Sequence, residues 1–114
     1  MALIEREVLG WSGVRKERNE DGPGGIPVSG YSFGRKQIGH VHHGDVANYL
    51  ADFRLLREVR DELIRSGRAI PHPAFPDSRT TASYQIRSAE DVPGAVELFR
   101  MSYERIKDAV GAKS

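Results

Sequence analysis

Val92, Val96, Phe99, Tyr103, Ile106 and Val110 recur at intervals of four, three, four, three and four residues, an apolar stripe along one side of a long helix. A stripe of that length has to be buried against a second layer. With 114 residues there is material for one hydrophobic core, so one domain, 1–114, is expected and its other elements must build that layer. Ser88 or Asp91 supplies the helix cap, and Pro93 is tolerated in the first turn.

The layer reads as a sheet. "RTTASYQIRS" alternates Ala82, Tyr84 and Ile86 against Thr81, Ser83 and Gln85, the period of a half-buried strand. "YSFGRKQIGHVHH" holds two extended pieces, about 31–34 and 37–42, joined by a tight hairpin at Gly34, Arg35 and Lys36. Strict alternation then puts Ile38, His40 and His42 on one face and Gln37, Gly39 and Val41 on the other, with His43 beyond the strand end. "GVRKERN" reads as a charged edge strand. Leu3, Ile4, Val8 and Trp11 predict a short helix over 2–9 ended by Gly10, with Trp11 plugging the core. Phe53, Leu56, Val59, Leu63 and Ile64 predict a second helix from Phe53 to Ser66, with Gly67 as C-terminal cap and Asp52 as one choice of N-cap; "GDVANYLAD" before it is either an earlier helical turn or a loop. Three prolines in "AIPHPAFPDS" exclude helix and give a stiff connector, and the glycines and prolines of 20–30 give a flexible loop. The expected fold is α+β, an antiparallel sheet of about four strands in the order α-β-β-β-α-β-α, with helices on one face and the opposite face left for a ligand or partner.

Charge and composition remove several functions. Seventeen Lys and Arg against sixteen Asp and Glu leave no global field for polyanions. Without cysteine there is no thiolate nucleophile, disulfide or Cys-ligated metal. "MALIEREVLGW" lacks the basic start and unbroken apolar run of a signal peptide, and no apolar run spans a bilayer, so a cytoplasmic protein with no membrane contact is expected. No P-loop, dinucleotide fingerprint or nucleophile elbow is present.

What remains is histidine. "GHVHHGD" places His40, His42 and His43 within four positions, and His72 lies in the proline connector. Imidazoles two apart on a strand reach a common point, so His40, His42 and a distant His72 are candidates for a pocket, a general base or a metal site. The glycine and His-x-His spacing begins a cupin pattern, but the glutamate that should follow is absent, its positions being Asp45, Val46 and Ala47, and the second histidine motif is missing. Arg54, Arg57, Arg60, Arg65 and Arg68 on or just after the middle helix read chiefly as ion pairs with Glu58, Asp61 and Glu62, and alternatively as a nucleic-acid surface.

"LGWSGV", "FGRKQIGHVH", "RDELIRSGRAIPHPAFPDS" and "IRSAEDVPGAVELFRMSYER" together make the chain similar to the small bacterial luciferase-family, or luciferase-domain, proteins along nearly its whole length. The family name implies a light-emitting oxygenation, for which no flavin or nucleotide signature is present. The arrangement also resembles the double-wing, YjbR-type α+β proteins, in which a terminal helix ending in Ser-Tyr packs on an antiparallel sheet. Two departures stand out: Pro73 follows His72 where relatives carry a second histidine, and Arg79-Thr80 replace a Gly-Trp.

These features point to a module for a small ligand or a protein, its pocket lined by His40, His42 and His72 with Tyr31, Phe33 and Tyr84 as apolar walls and the loops at 20–30 and 71–80 around it. No catalytic residue, metal ligand or cofactor is assigned. The alternatives are a metal- or histidine-dependent enzyme and a nucleic-acid-binding double-wing protein.

Overall fold

The computed structural model describes residues 2–19, 28–42, 49–73 and 75–112. Most of the Gly- and Pro-rich loop, and His43, lie outside the described residues. Helix α1 (Ala2–Leu9) is followed by strands β1 (Val14–Asn19), β2 (Val28–Phe33), β3 (Lys36–His42) and β4 (Tyr49–Arg54), then α2 (Arg57–Arg65), β5 (Ile70–Pro71), β6 (Thr81–Ile86), a 3-10 turn (Ala89–Asp91) and α3 (Val92–Ala112). The strands form one antiparallel sheet in the order β1-β2-β3-β4-β6-β5. No helix among the described residues is long and apolar enough to cross a membrane.

The α+β class and antiparallel sheet hold, but the sheet has six strands, not about four. The missed strand that matters is β4, expected as helix or loop. Phe53 falls three residues before Leu56 and so in phase with the stripe of the following helix, which hides a strand that alternates Ala51, Phe53 and Leu55 inward against Asp52 and Arg54. Leu56, counted in that stripe, is exposed, and α2 begins one residue after it with no side-chain cap. Asp52 is therefore a strand residue and not an N-cap. The other end of α2 follows expectation: Gly67 takes φ 80°, its N–H donates to the Ile64 carbonyl, and the Arg68 N–H donates to the Leu63 carbonyl, which closes the helix with satisfied carbonyls.

One apolar cluster joins Ile4 and Val8 of α1, Leu63 of α2 and Ala95, Leu98, Phe99, Tyr103 and Ile106 of α3 to Val41, Ala51, Phe53, Ala82 and Ile86 of the sheet. Trp11 is half-buried at its edge, its ring 5.3 Å from that of Tyr103. At the start of α3 the Asp91 carboxylate accepts from the N–H groups of Arg87 and Ser88, so both expected capping residues take part.

A bulge decides which side chains face which way. Tyr31 pairs with Gly39 but Ser32 with Gln37, so Ile38 has no opposite number on β2. Strict alternation would have kept Ile38 with His40 and His42; the extra residue turns it into the core, fully buried, while the histidines stay on the other face. Ser102 of α3, also fully buried, fixes this point: its hydroxyl donates to the Ile38 carbonyl at 2.6 Å and lies 3.2 Å from the Arg54 carbonyl. Gly39 lets β3 lie close to the helix, since a Cβ there would come within 2.9 Å of Phe99 and 2.8 Å of the Asp52 carbonyl.

Candidate functional site

On the face of the sheet away from that cluster, β3, β4 and β6 place His40, Asp52 and Ser83 side by side in the ladder. His42 follows two residues after His40, and the connector after β5 brings His72 in from the other side. The imidazole Nε2 atoms of His42, His40 and His72 lie 2.9, 3.0 and 3.3 Å from one atom, Asp52 Oδ2. The second oxygen, Oδ1, accepts a hydrogen bond from the buried hydroxyl of Ser83. Asp52 is only 3% exposed, whereas each of the three imidazoles keeps an edge in solvent. Burial by itself would raise the Asp52 carboxyl; the hydrogen bonds of His40 and Ser83 to it, with the electrostatic influence of His40 and His72, outweigh burial and hold the group below the ordinary carboxylate value.

Partners of the other ring nitrogens set the roles. His40 Nδ1 lies 2.9 Å from Gln37 Oε1, an acceptor, so Nδ1 carries the proton. In the neutral ring Nε2 is then a lone pair directed at a carboxylate oxygen, an arrangement that needs a cation between the two or a second proton on the ring. His72 is the reverse. The Phe75 N–H donates to its Nδ1 at 3.2 Å, which leaves Nε2–H to donate to Asp52. His40, His42 and Asp52 thus form a group able to hold a metal ion, their ligand atoms within 4.8 Å of one another, and His72 orients the carboxylate from behind.

The cluster opens into a cleft of about 520 Å³ that runs past Arg54 and Thr81 to Arg105 and Ile106 of α3, with Phe75 along its side. Phe75 is 66% exposed, and its ring lies 5.3 Å from that of His72. Arg60 of α2 holds this connector in place, its guanidinium donating to the carbonyls of Thr81 and Pro76.

The structure brings His40, His42 and His72 together and sends the three aromatic candidates elsewhere. Tyr31 stands edge-on to Phe99 and hydrogen-bonds Glu5; Phe33 stands edge-on to Tyr103; Tyr84 lies over Gly94 in the first turn of α3. All three belong to the helical side, because side chains of consecutive strand residues alternate and theirs fall on the other parity from Asp52 and Ser83. Arg54, grouped with the helix by sequence, sits on β4. The other arginines of α2 are paired: Arg57 and Arg60 with Asp61, Arg65 with Glu62, and Arg68 beyond the helix with Glu97. Two members of the site escaped sequence reading altogether, Asp52 and Ser83. The signal available was "YLADF", an acid alone between apolar residues at strand spacing.

A family model described as Luciferase domain matches residues 35–102, well over half of the chain, and that stretch carries His40, His42, Asp52, His72 and Ser83. No curated protein matches the chain, and no solved structure does, so the likeness to double-wing proteins finds no counterpart. The chain belongs to the luciferase-domain family.

Proposed function

We propose that this protein is a metal-dependent enzyme acting on a small molecule, with His40, His42 and Asp52 as ligands of one divalent transition-metal ion. The observation that carries this is the His40 ring: its Nδ1 is committed to Gln37 while its Nε2 faces Asp52 Oδ2 at 3.0 Å. Cis ligands on one ion at about 2.1 Å are themselves about 3.0 Å apart, so the distances of His40 and His42 from Asp52 Oδ2 suit a shared cation, which would draw together the three ligand atoms now within 4.8 Å of one another. Two histidines and one carboxylate, with the remaining positions open, are the donor set of mononuclear iron(II) oxygenases, and zinc takes the same donors. Such an ion would supply a Lewis acid at the head of the cleft. Around it the chain's own residues do the positioning: Ser83 and His72 fix the carboxylate, Gln37 fixes the His40 tautomer, and Phe75 offers an apolar side to the ligand.

The test is metal analysis of protein purified without an affinity tag and reconstituted in turn with iron(II), zinc and manganese. About one equivalent per chain is expected, lost in His40→Ala, His42→Ala and Asp52→Asn and retained in His72→Gln at reduced affinity, by about 10- to 100-fold. Wild-type protein that stays metal-free under all three ions overturns the proposal and leaves a histidine-lined binding pocket.

A further inference from the structure

The far end of the cleft has a chemistry the metal centre does not explain. Asp52 and Arg54 are two residues apart on β4 and point to the same side, so the arginine sits roughly 7 Å along the strand from the carboxylate. Thr81 pairs with Arg54 in the ladder, two positions along from the Asp52–Ser83 pair. Arg105 reaches in from α3. Of the arginines elsewhere, Arg15, Arg57, Arg60, Arg65, Arg68 and Arg100 each have a carboxylate partner, while Arg6, Arg35, Arg79 and Arg87 form no ion pair among the described residues and line neither the cleft nor the adjoining hollow. Arg54 and Arg105 have no ion pair among the described residues. Asp77 lines the adjoining hollow with Arg54 without closing to ion-pair distance.

Arg105 is half-buried, and burial together with the like charge of Arg54 pushes its guanidinium below the ordinary value. Its Nε and the Thr81 hydroxyl are buried polar atoms without a hydrogen-bond partner, and both residues line the cleft. Two adjacent guanidinium groups and an unpartnered hydroxyl at one end of a cavity of small-molecule size are what a bound oxyanion would satisfy: fixed forks of N–H donors match carboxylate and phosphate oxygens, and the repulsion between the cations becomes attraction to a shared anion.

We propose that Arg54 and Arg105 form an oxyanion subsite, so that the ligand of this cleft is a small organic acid or phosphate ester held there by its anionic group while its other end meets the His40–His42–Asp52 centre. The second half of this statement rests on the metal reading; the subsite itself does not.

The experiment follows the arginine Nε–H signals of ¹⁵N-labelled full-length protein, metal-free and zinc-loaded, titrated at constant ionic strength with sodium phosphate, acetate or benzoate. Saturable shifts are expected, with phosphate against the two carboxylates telling which oxyanion fits. Affinity should fall by about tenfold or more in Arg54→Gln and in Arg54→Gln/Arg105→Gln. If the double variant does not fold, Arg54→Gln, at an exposed position, decides alone. Loss of binding in the folded arginine variants supports the subsite even where no metal binds, which would fail the metal reading separately. Unchanged affinity in those variants overturns it, as does binding that vanishes only in His40→Ala and His42→Ala, or a wild-type protein that saturates with none of the three anions.

Discussion

Successive residues of β4 belong to opposite chemistries. On the helical side, Phe53 meets Phe99 edge-on with centroids 4.6 Å apart, and Tyr31 meets the same ring at 5.6 Å. On the other side, Asp52 gathers three imidazoles and a serine hydroxyl into a cleft open to solvent. The first face gains its stability from area removed from water and from ring packing. In the second, a buried carboxylate has to recover its lost hydration from hydrogen bonds, which leaves little net gain for the fold. Stability and chemistry are therefore carried by alternate residues of the same strands, and substitutions should separate them.

The largest effect on folding is expected on the helical side. Phe99→Ala removes the ring that both Phe53 and Tyr31 pack against and should cost about 3–5 kcal/mol in urea unfolding. Asp52→Asn should cost about 1–2 kcal/mol while abolishing metal binding, because an amide keeps a partner for Ser83 but no longer offers a carboxylate. Equal losses of stability in the two variants would break the contrast and make the polar cluster a structural support. Gly39 is the residue where the faces are coupled. An added methyl meets Phe99, Phe53 and the Asp52 carbonyl at 2.8–3.0 Å, so Gly39→Ala should cost about 1–3 kcal/mol and, by shifting the backbone beside His40, lower metal affinity as well.

Tyr31 tests the assignment of sides more gently. Burial, then the charge and hydrogen bond of Glu5, push its phenol well above the ordinary tyrosine value. A raised folded-state value means the protonated phenol is favoured by folding; this contribution is complete below about pH 10, where an unfolded tyrosine titrates, and is lost as pH rises toward the folded value. Ultraviolet titration should show a late-titrating tyrosinate that is absent in Tyr31→Phe, and bound metal or anion should leave it unmoved. A response to ligand would place Tyr31 in the cleft after all.

How much of this was legible varies with the range of the signal. The α3 stripe, the short first helix, the hairpin at Gly34 and the Gly67 cap are local patterns and could be read directly. β4 could not, because Phe53 keeps the phase of the α2 stripe, and an acid just before an apparent helix imitates an N-cap. The bulge at Ile38 is equally silent: it depends on how β2 pairs with β3 and on a serine 64 residues later in the chain. Once the parity changes there, the side of Tyr31 and Phe33 relative to the histidines has to be read from their partners and not from their spacing. The meeting of His72 with His40 and His42 needed β5 beside β6, a contact that two residues of strand barely announce.

Phe75 gives the smallest expected effect and the finest distinction. Its ring is 66% exposed, lies beside His72, and lines the cleft that also holds His40, Asp52, Arg54 and Arg105. Little apolar area is buried there, so Phe75→Ser should change stability by no more than about 0.5 kcal/mol. If the ring serves the ligand, the variant should weaken benzoate by a few fold and leave phosphate as it was, since only the aromatic acid has an apolar body to lay against it. Equal weakening of both anions would instead mean that Phe75 acts by shaping the turn in which its own N–H bonds to His72, a role for the backbone and not for the ring.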